Sequence, residues 1–106
     1  MFVRMVSGPM KAGTSSKYAE VTENQVIPLI RSQKGFVDQI ALVSTDGKHL
    51  YGISFWDRKE SAEAYDRSTF GEVKKALDTV LAGPLEVQTC DVTNSTIQKI
   101  APARVS

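Results

Sequence analysis

Few side chains in this sequence have types and positions suited to chemistry, and Asp66 is the most pointed of them. Counted at 100° per residue along a helix, it falls near the centre of an apolar arc with Ala62, Phe70 and Val73, where an unpaired carboxylate would cost several kcal/mol. Two readings stay open, besides a slip of helix phase at Gly71 that would move it off the arc. Arg4, which alternates onto the same side of the first strand as Phe2 and Val6, can compensate it as a structural ion pair. Alternatively, Asp66 sits in a polar pocket with a raised pKa and a base's role. Tyr65 and Tyr18 lie on inward helix faces, and each can aim its hydroxyl at a buried partner or into a cavity. Trp56, the single tryptophan, ends a strand just before a helix and is either a core wedge or a wall of an aromatic-binding pocket. The single histidine, His49, follows a hairpin turn and is expected in solvent rather than as a catalytic base. The one cysteine, Cys90, reads as a small strand residue, since no cation or helix N-terminus flanks it. No His/Cys cluster with ligand spacing, no Gly-rich phosphate loop and no Gly-x-Ser-x-Gly occurs, so no metal, nucleotide or hydrolase chemistry is expected.

The elements that position these residues follow from periodicity. Met1 to Pro9 reads as a strand closed by Ser7-Gly8-Pro9. Thr14, Ser15 and Ser16 offer N-cap oxygens for a helix running to about Ser32, with Tyr18, Val21, Val26 and Ile30 inward and Pro28 kinking its last turn towards solvent. Gly35 supplies a left-handed stop, and Phe36 to Ser44 reads as a second strand. Thr45-Asp46-Gly47-Lys48 makes a tight hairpin into Leu50–Trp56, with Leu50, Gly52, Ser54 and Trp56 on one side. Asp57 and Glu60 are spaced as a capping box for a second helix reaching about Ala82, breakable at Gly71. Gly83-Pro84 stops it, and Leu85 to about Thr93 alternates as a last strand.

This order, βαββαβ, is the ferredoxin-like plan: an α+β fold with a four-stranded antiparallel sheet and helices on one face. In the second strand Val37, Ala41 and Val43 oppose Phe36, Ile40 and Leu42, so both sides of the sheet carry apolar residues. A chain of 106 residues has no material to cover the second side, and a second copy across a two-fold axis is the expected cover. The expected partner is therefore a homodimer mate meeting the sheet face. One domain spans residues 1–97, with a tail at 98–106 that could extend the last strand, exchange across the dimer, or fray.

With 13 basic and 12 acidic residues the net charge is +1, without a cluster suited to nucleic acid or an anionic membrane. No apolar run is long enough to span a bilayer, and Met-Phe-Val-Arg does not open as a secretion signal, so a cytoplasmic protein is expected.

The segment Val26-Ile-Pro-Leu-Ile-Arg-Ser-Gln-Lys-Gly-Phe-Val37, followed by Ser54-Phe-Trp-Asp-Arg-Lys-Glu-Ser-Ala-Glu-Ala-Tyr65 and Phe70, resembles the antibiotic biosynthesis monooxygenase (ABM) family of dimeric α/β barrels over roughly residues 1 to 95. The resemblance implies a pocket between sheet and helices in each subunit, here lined by Arg4, Tyr18, Trp56, Tyr65, Asp66 and Phe70. It also implies cofactor-independent oxygenation of a small aromatic or polycyclic ligand, with Asp66, Tyr65 and Trp56 the candidate catalytic residues. A non-catalytic, homodimeric ligand-binding or interaction module on the same scaffold is the alternative. The haem-degrading branch of the superfamily uses a first-strand Asn, a second-helix Trp and a later His. This chain has no Asn in its first strand and has Tyr65 and Lys74 at the other positions, so haem is not expected.

Overall fold

The computed structural model describes residues 1–100. Its elements are β1 (Phe2–Pro9), α1 (Ser15–Val21), a π-helical turn (Thr22–Val26), α2 (Ile27–Arg31), β2 (Phe36–Val43), β3 (His49–Trp56), α3 (Lys59–Ser68), α4 (Phe70–Leu77) and β4 (Glu86–Asp91). The strands form one antiparallel sheet in the order β2-β3-β1-β4, and the helices pack on one side of it. The α+β ferredoxin-like plan read from the element order is thus the architecture observed. Among the described residues, no helix is long and apolar enough to cross a membrane.

Local chemistry reshapes the expected elements in four places. Thr14 stands at the N-cap of α1 but makes no side-chain cap; its hydroxyl donates instead to the Lys11 carbonyl, 2.6 Å away. Asp57 and Glu60 form no capping box, because the N-cap of α3 is Arg58 and Asp57 Oδ1 accepts from Ser61 Oγ at 2.6 Å. Pro28 has no N–H to give the preceding turn, and that turn widens: the Ile27 N–H reaches back to the Thr22 carbonyl, and α2 restarts with proline in its first turn. The second helix ends at Leu77, and it breaks at Thr69 (φ −131°, ψ −28°) rather than Gly71.

The break at Thr69 has a clear effect on packing. In an unbroken helix Tyr65 and Phe70 would diverge by about 140°, yet here both are buried with ring centroids 6.1 Å apart.

A β-bulge at Val37 also shifts the register, so that Phe36 faces the helices with Ala41 and Val43, while Ile40 and Leu42 face away. The main core therefore lies between sheet and helices, around Leu50, Trp56, Tyr65, Val73, Leu77 and Val80. Gly35 (φ +83°) makes the turn that feeds β2, and a side chain there would strike Ser61 and Asp57 at the start of α3.

The other side of the sheet is only partly covered. The chain leaving β4 crosses it: Val92 and Ile100 pack on Val3, Met5, Ile53 and Phe55, and Lys99 lies 3.8 Å from Asp38 on β2. Within the described part of the expected tail, Ile100 is buried against the sheet; residues 101–106 lie outside the described residues. Beyond that strap Ile40 and Leu42 remain exposed.

Candidate functional site

The register aligns a row of polar residues across the helix-covered side of the sheet. Gln39 on β2 pairs with Ser54 on β3, Ser54 with Arg4 on β1, and Arg4 with Thr89 on β4. The next row is Ala41, Gly52, Val6 and Val87, whose two small members leave room above the sheet. Opposite stands a stripe of Tyr18, Thr22, Val26 and Ile30, each four residues after the last. In a regular helix three such steps drift by about 120°; the wider π turn slows the rotation and keeps the four on one face. Between row and stripe lies a cavity of about 30 Å³, also bounded by Tyr65, Phe70 and Val73, which has room for a water or two.

Arg4 is the chemical centre of this space. Its side chain is 4% exposed, and Nη2 donates to Asp66 Oδ1 at 2.6 Å. The guanidinium lies 3.9 Å from the centroid of the Phe70 ring and 5.4 Å from that of Tyr65, so two aromatic faces replace part of its lost hydration. Arg4 also borders a second, outer groove of about 170 Å³ with Asp66, Lys59, Val87 and Thr89, and so stands as the wall between the two spaces.

Asp66 corrects the expectation of a buried carboxylate. It is 54% exposed and lies on the outer groove, not on the inner cavity. The break at Thr69 is the reason. The apolar arc that placed Asp66 at its centre assumed one continuous helix, whereas α3 alone buries only Ala62 and Tyr65. The ion pair with Arg4 is present. Trp56 is fully buried and does not border the cavity. Its ring packs on Tyr65 at 5.1 Å and edge-on to Phe36 at 5.8 Å, while Nε1 donates to Ser54 Oγ at 2.9 Å. It supports the wall that Tyr65 forms. His49 is exposed at the hairpin end of β3, and Cys90 joins the cluster on the uncovered side.

Both inward tyrosines face the cavity in different states. Tyr18 donates to the Tyr51 carbonyl at 2.9 Å and is committed to the sheet. The Tyr65 hydroxyl has no hydrogen-bond partner among the described residues. Burial pushes the pKa of each phenol up to about 12, with Arg4 opposing the rise at Tyr65, so both are proton donors and not bases at neutral pH.

Two residues that reading the sequence did not single out also bound the cavity. Thr22 Oγ1 and Gln39 Oε1 are buried and have no hydrogen-bond partner. The Thr22 hydroxyl stands near enough to Tyr18 to favour its ionised form slightly, without forming a hydrogen bond of acceptable geometry. A signal existed for both: Thr22 is one four-residue step from Tyr18, and Gln39 shares alternation with Ala41 and Val43. Among the described residues no three His, Cys, Asp or Glu side chains converge to hold a metal ion.

No family model matches the sequence, and no curated protein matches it. Solved structures do match. A monooxygenase from the gene ActVA-Orf6 of Streptomyces coelicolor, solved with the ligand nanaomycin D, is 25% identical with a TM-score of 0.74, covering 91% of this chain and 90% of that one. SnoaB, a cofactor-independent oxygenase from Streptomyces nogalater, is 16% identical with a TM-score of 0.72, covering 90% of this chain and 96% of that one. The NE2512 protein of unknown function from Nitrosomonas europaea is 13% identical with a TM-score of 0.73, covering 91% and 92%. The chain thus shares its fold with antibiotic biosynthesis monooxygenase-type proteins, the family that its Gly-Phe, Phe-Trp and Tyr/Phe segments resemble.

Proposed function

We propose that this protein is a cytoplasmic, homodimeric ABM-type monooxygenase that binds a small aromatic or polycyclic substrate between the helices and the sheet, the two layers parting to widen the small cavity between them. The observation that carries the reading is Arg4: a desolvated cation set against two aromatic faces at the edge of a largely apolar cavity. Such a cation stabilises an aryl oxyanion in a water-poor site more than it would in water. The ionised substrate is electron-rich enough to reduce dioxygen itself. One oxygen atom enters the ring carbon, replacing two hydrogens, and the other leaves as water, so no external reductant is consumed. Tyr65 donates a hydrogen bond to the substrate oxygen. Asp66, open on its outer side, relays the released proton to solvent while holding Arg4. The exposed Ile40 and Leu42 favour a second copy on the uncovered side of the sheet.

The alternative is a non-catalytic homodimeric ligand-binding or interaction module. It is favoured by the cavity of only about 30 Å³ and by Arg4 being already paired with Asp66, so that no free base faces the cavity. Oxygen uptake with hydroxylated anthrones and naphthohydroquinones, in metal-free buffer without flavin, separates the two. Monooxygenase activity predicts one ¹⁸O atom per product from ¹⁸O₂, abolished in Arg4→Met. Saturable binding of the same compounds without uptake above the spontaneous rate selects the module.

A further inference from the structure

Thr22 and Gln39 come from opposite layers, one from the π turn and one from the second strand, yet both bring an unmatched oxygen to the same cavity. Thr22 is only 6% exposed. A buried polar atom without a partner costs free energy in the empty protein, and nearly all such atoms in folded proteins are matched. Neither atom is needed for the core: valine has the shape of threonine, and methionine nearly that of glutamine. The π turn begins at Thr22 and keeps Val26 and Ile30 in line with it on the face towards the sheet, and single π turns recur at functional sites.

We infer that Thr22 and Gln39 are specificity-determining residues, which together bind a hydroxyl carried by the aromatic ligand at the end of the cavity away from Asp66. Gln39 Oε1 accepts from that hydroxyl, and the Thr22 hydroxyl donates to its oxygen or accepts in its place. Arg4 supplies only donors, and the Tyr65 hydroxyl still has a proton to give, so they serve a second, acceptor oxygen of the same molecule. The ligand class is therefore an aromatic with a free hydroxyl as well as an oxyanion or carbonyl. This rests on the proposed aromatic site and adds the demand for a hydroxyl. A site lined for a hydroxyl discriminates against the analogue lacking it, because its own polar groups are then left unpaired.

The test is titration of the purified protein with 1-naphthol, 1-methoxynaphthalene and naphthalene, followed by quenching of Trp56, the single tryptophan. The expected result is that 1-naphthol binds roughly tenfold tighter than its methyl ether, as one hydrogen bond with an otherwise unmatched buried partner implies. Thr22→Val and Gln39→Met should each cut that ratio, and together bring it to about one. Equal binding of all three probes by the wild type overturns this inference while leaving the aromatic site standing, as does a ratio that survives both substitutions. Failure of every probe to bind overturns the aromatic site and the inference with it. The melting temperature of unliganded Thr22→Val gives a second check. It should equal or exceed that of the wild type; a loss of several degrees would show the hydroxyl already matched by structural water.

Discussion

The two sides of the sheet differ in the opposite sense to their covering. The side under the helices carries Arg4, the one buried charge among the described residues, in a row with Gln39, Ser54 and Thr89. The side facing away from the helices presents Ile53 and Phe55 under the strap of residues 92–100, with Ile40 and Leu42 beyond it. Polar groups in the covered layer weaken the core, and apolar groups in the open layer cost solubility. Each is the wrong choice for an isolated stable monomer and suits the polar-tipped ligand and the second copy proposed above. If this contrast holds, substitutions on the covered side should act on stability and binding, and those on the open side on assembly.

The largest effect is expected at Trp56. It is fully buried, its ring contacts Phe36 and Tyr65, and its Nε1 ties it to Ser54 beneath the polar row. Trp56→Ala should lose about 3–5 kcal/mol in urea denaturation, as aromatic truncation in a packed core does. A loss under about 1 kcal/mol would mean that the covered side is much looser than its burial indicates.

The buried tyrosines make the covered side sensitive to alkali. Unfolded phenols titrate near pH 10, while Tyr18 and Tyr65 titrate at about 12 when folded. The unfolded chain therefore gives up its protons first. The contribution of the two groups is fully present below pH 10 and is lost as pH rises through 12, at most about 2–3 kcal/mol for each group at about 1.4 kcal/mol per unit. Denaturation midpoints at pH 9.5 and 12, compared between the wild type and Tyr65→Phe, check this: the phenylalanine variant should fall less steeply.

Removing one partner of the Arg4–Asp66 pair should depend on which partner goes. Asp66→Ala leaves a cation that is 4% exposed without its acceptor and should cost about 2 kcal/mol. Arg4→Met leaves a carboxylate that is already half in water and should cost under about 1 kcal/mol. Equal losses would show that the pair acts as a symmetric structural bridge and would remove the reason to treat Arg4 as held for a ligand.

How far this contrast was legible before the structure depended on continuity. The βαββαβ order, the hairpin at Asp46-Gly47 and the left-handed Gly35 follow from local rules, because turns and alternation are decided within a few residues. The Arg4–Asp66 pair also followed, since strand alternation fixed Arg4 towards the helices and a carboxylate near it had to find a partner. The burial of Asp66 did not, because helix phase was counted across Thr69, where the helix restarts. Thr22 and Gln39 stayed unnoticed because each looks like an ordinary polar residue. Only the register of the sheet and the widened turn before Pro28 show that both oxygens face one cavity.

The smallest effect on chain stability, and the sharpest on the open side, is expected from Leu42→Asp. Leu42 is 44% exposed and lies opposite Tyr51 on the uncovered side, clear of Val3 and Ile100 where the strap packs. Little apolar area is lost from water when its side chain is exchanged, so urea denaturation of the monomer should shift by no more than about 0.5 kcal/mol. A two-fold interface would place the same residue from both copies on one buried surface, and two carboxylates there without cations would be strongly unfavourable. Light scattering at micromolar concentration should then give twice the chain mass of 11.6 kDa for the wild type and the single-chain mass for the variant. A wild type that scatters as a monomer would leave Ile40 and Leu42 to some other cover and undo the assembly half of the contrast. A variant that loses several kcal/mol instead would mean that the strap reaches further across the sheet than Lys99 and Asp38, so that the open side belongs to the chain's own core.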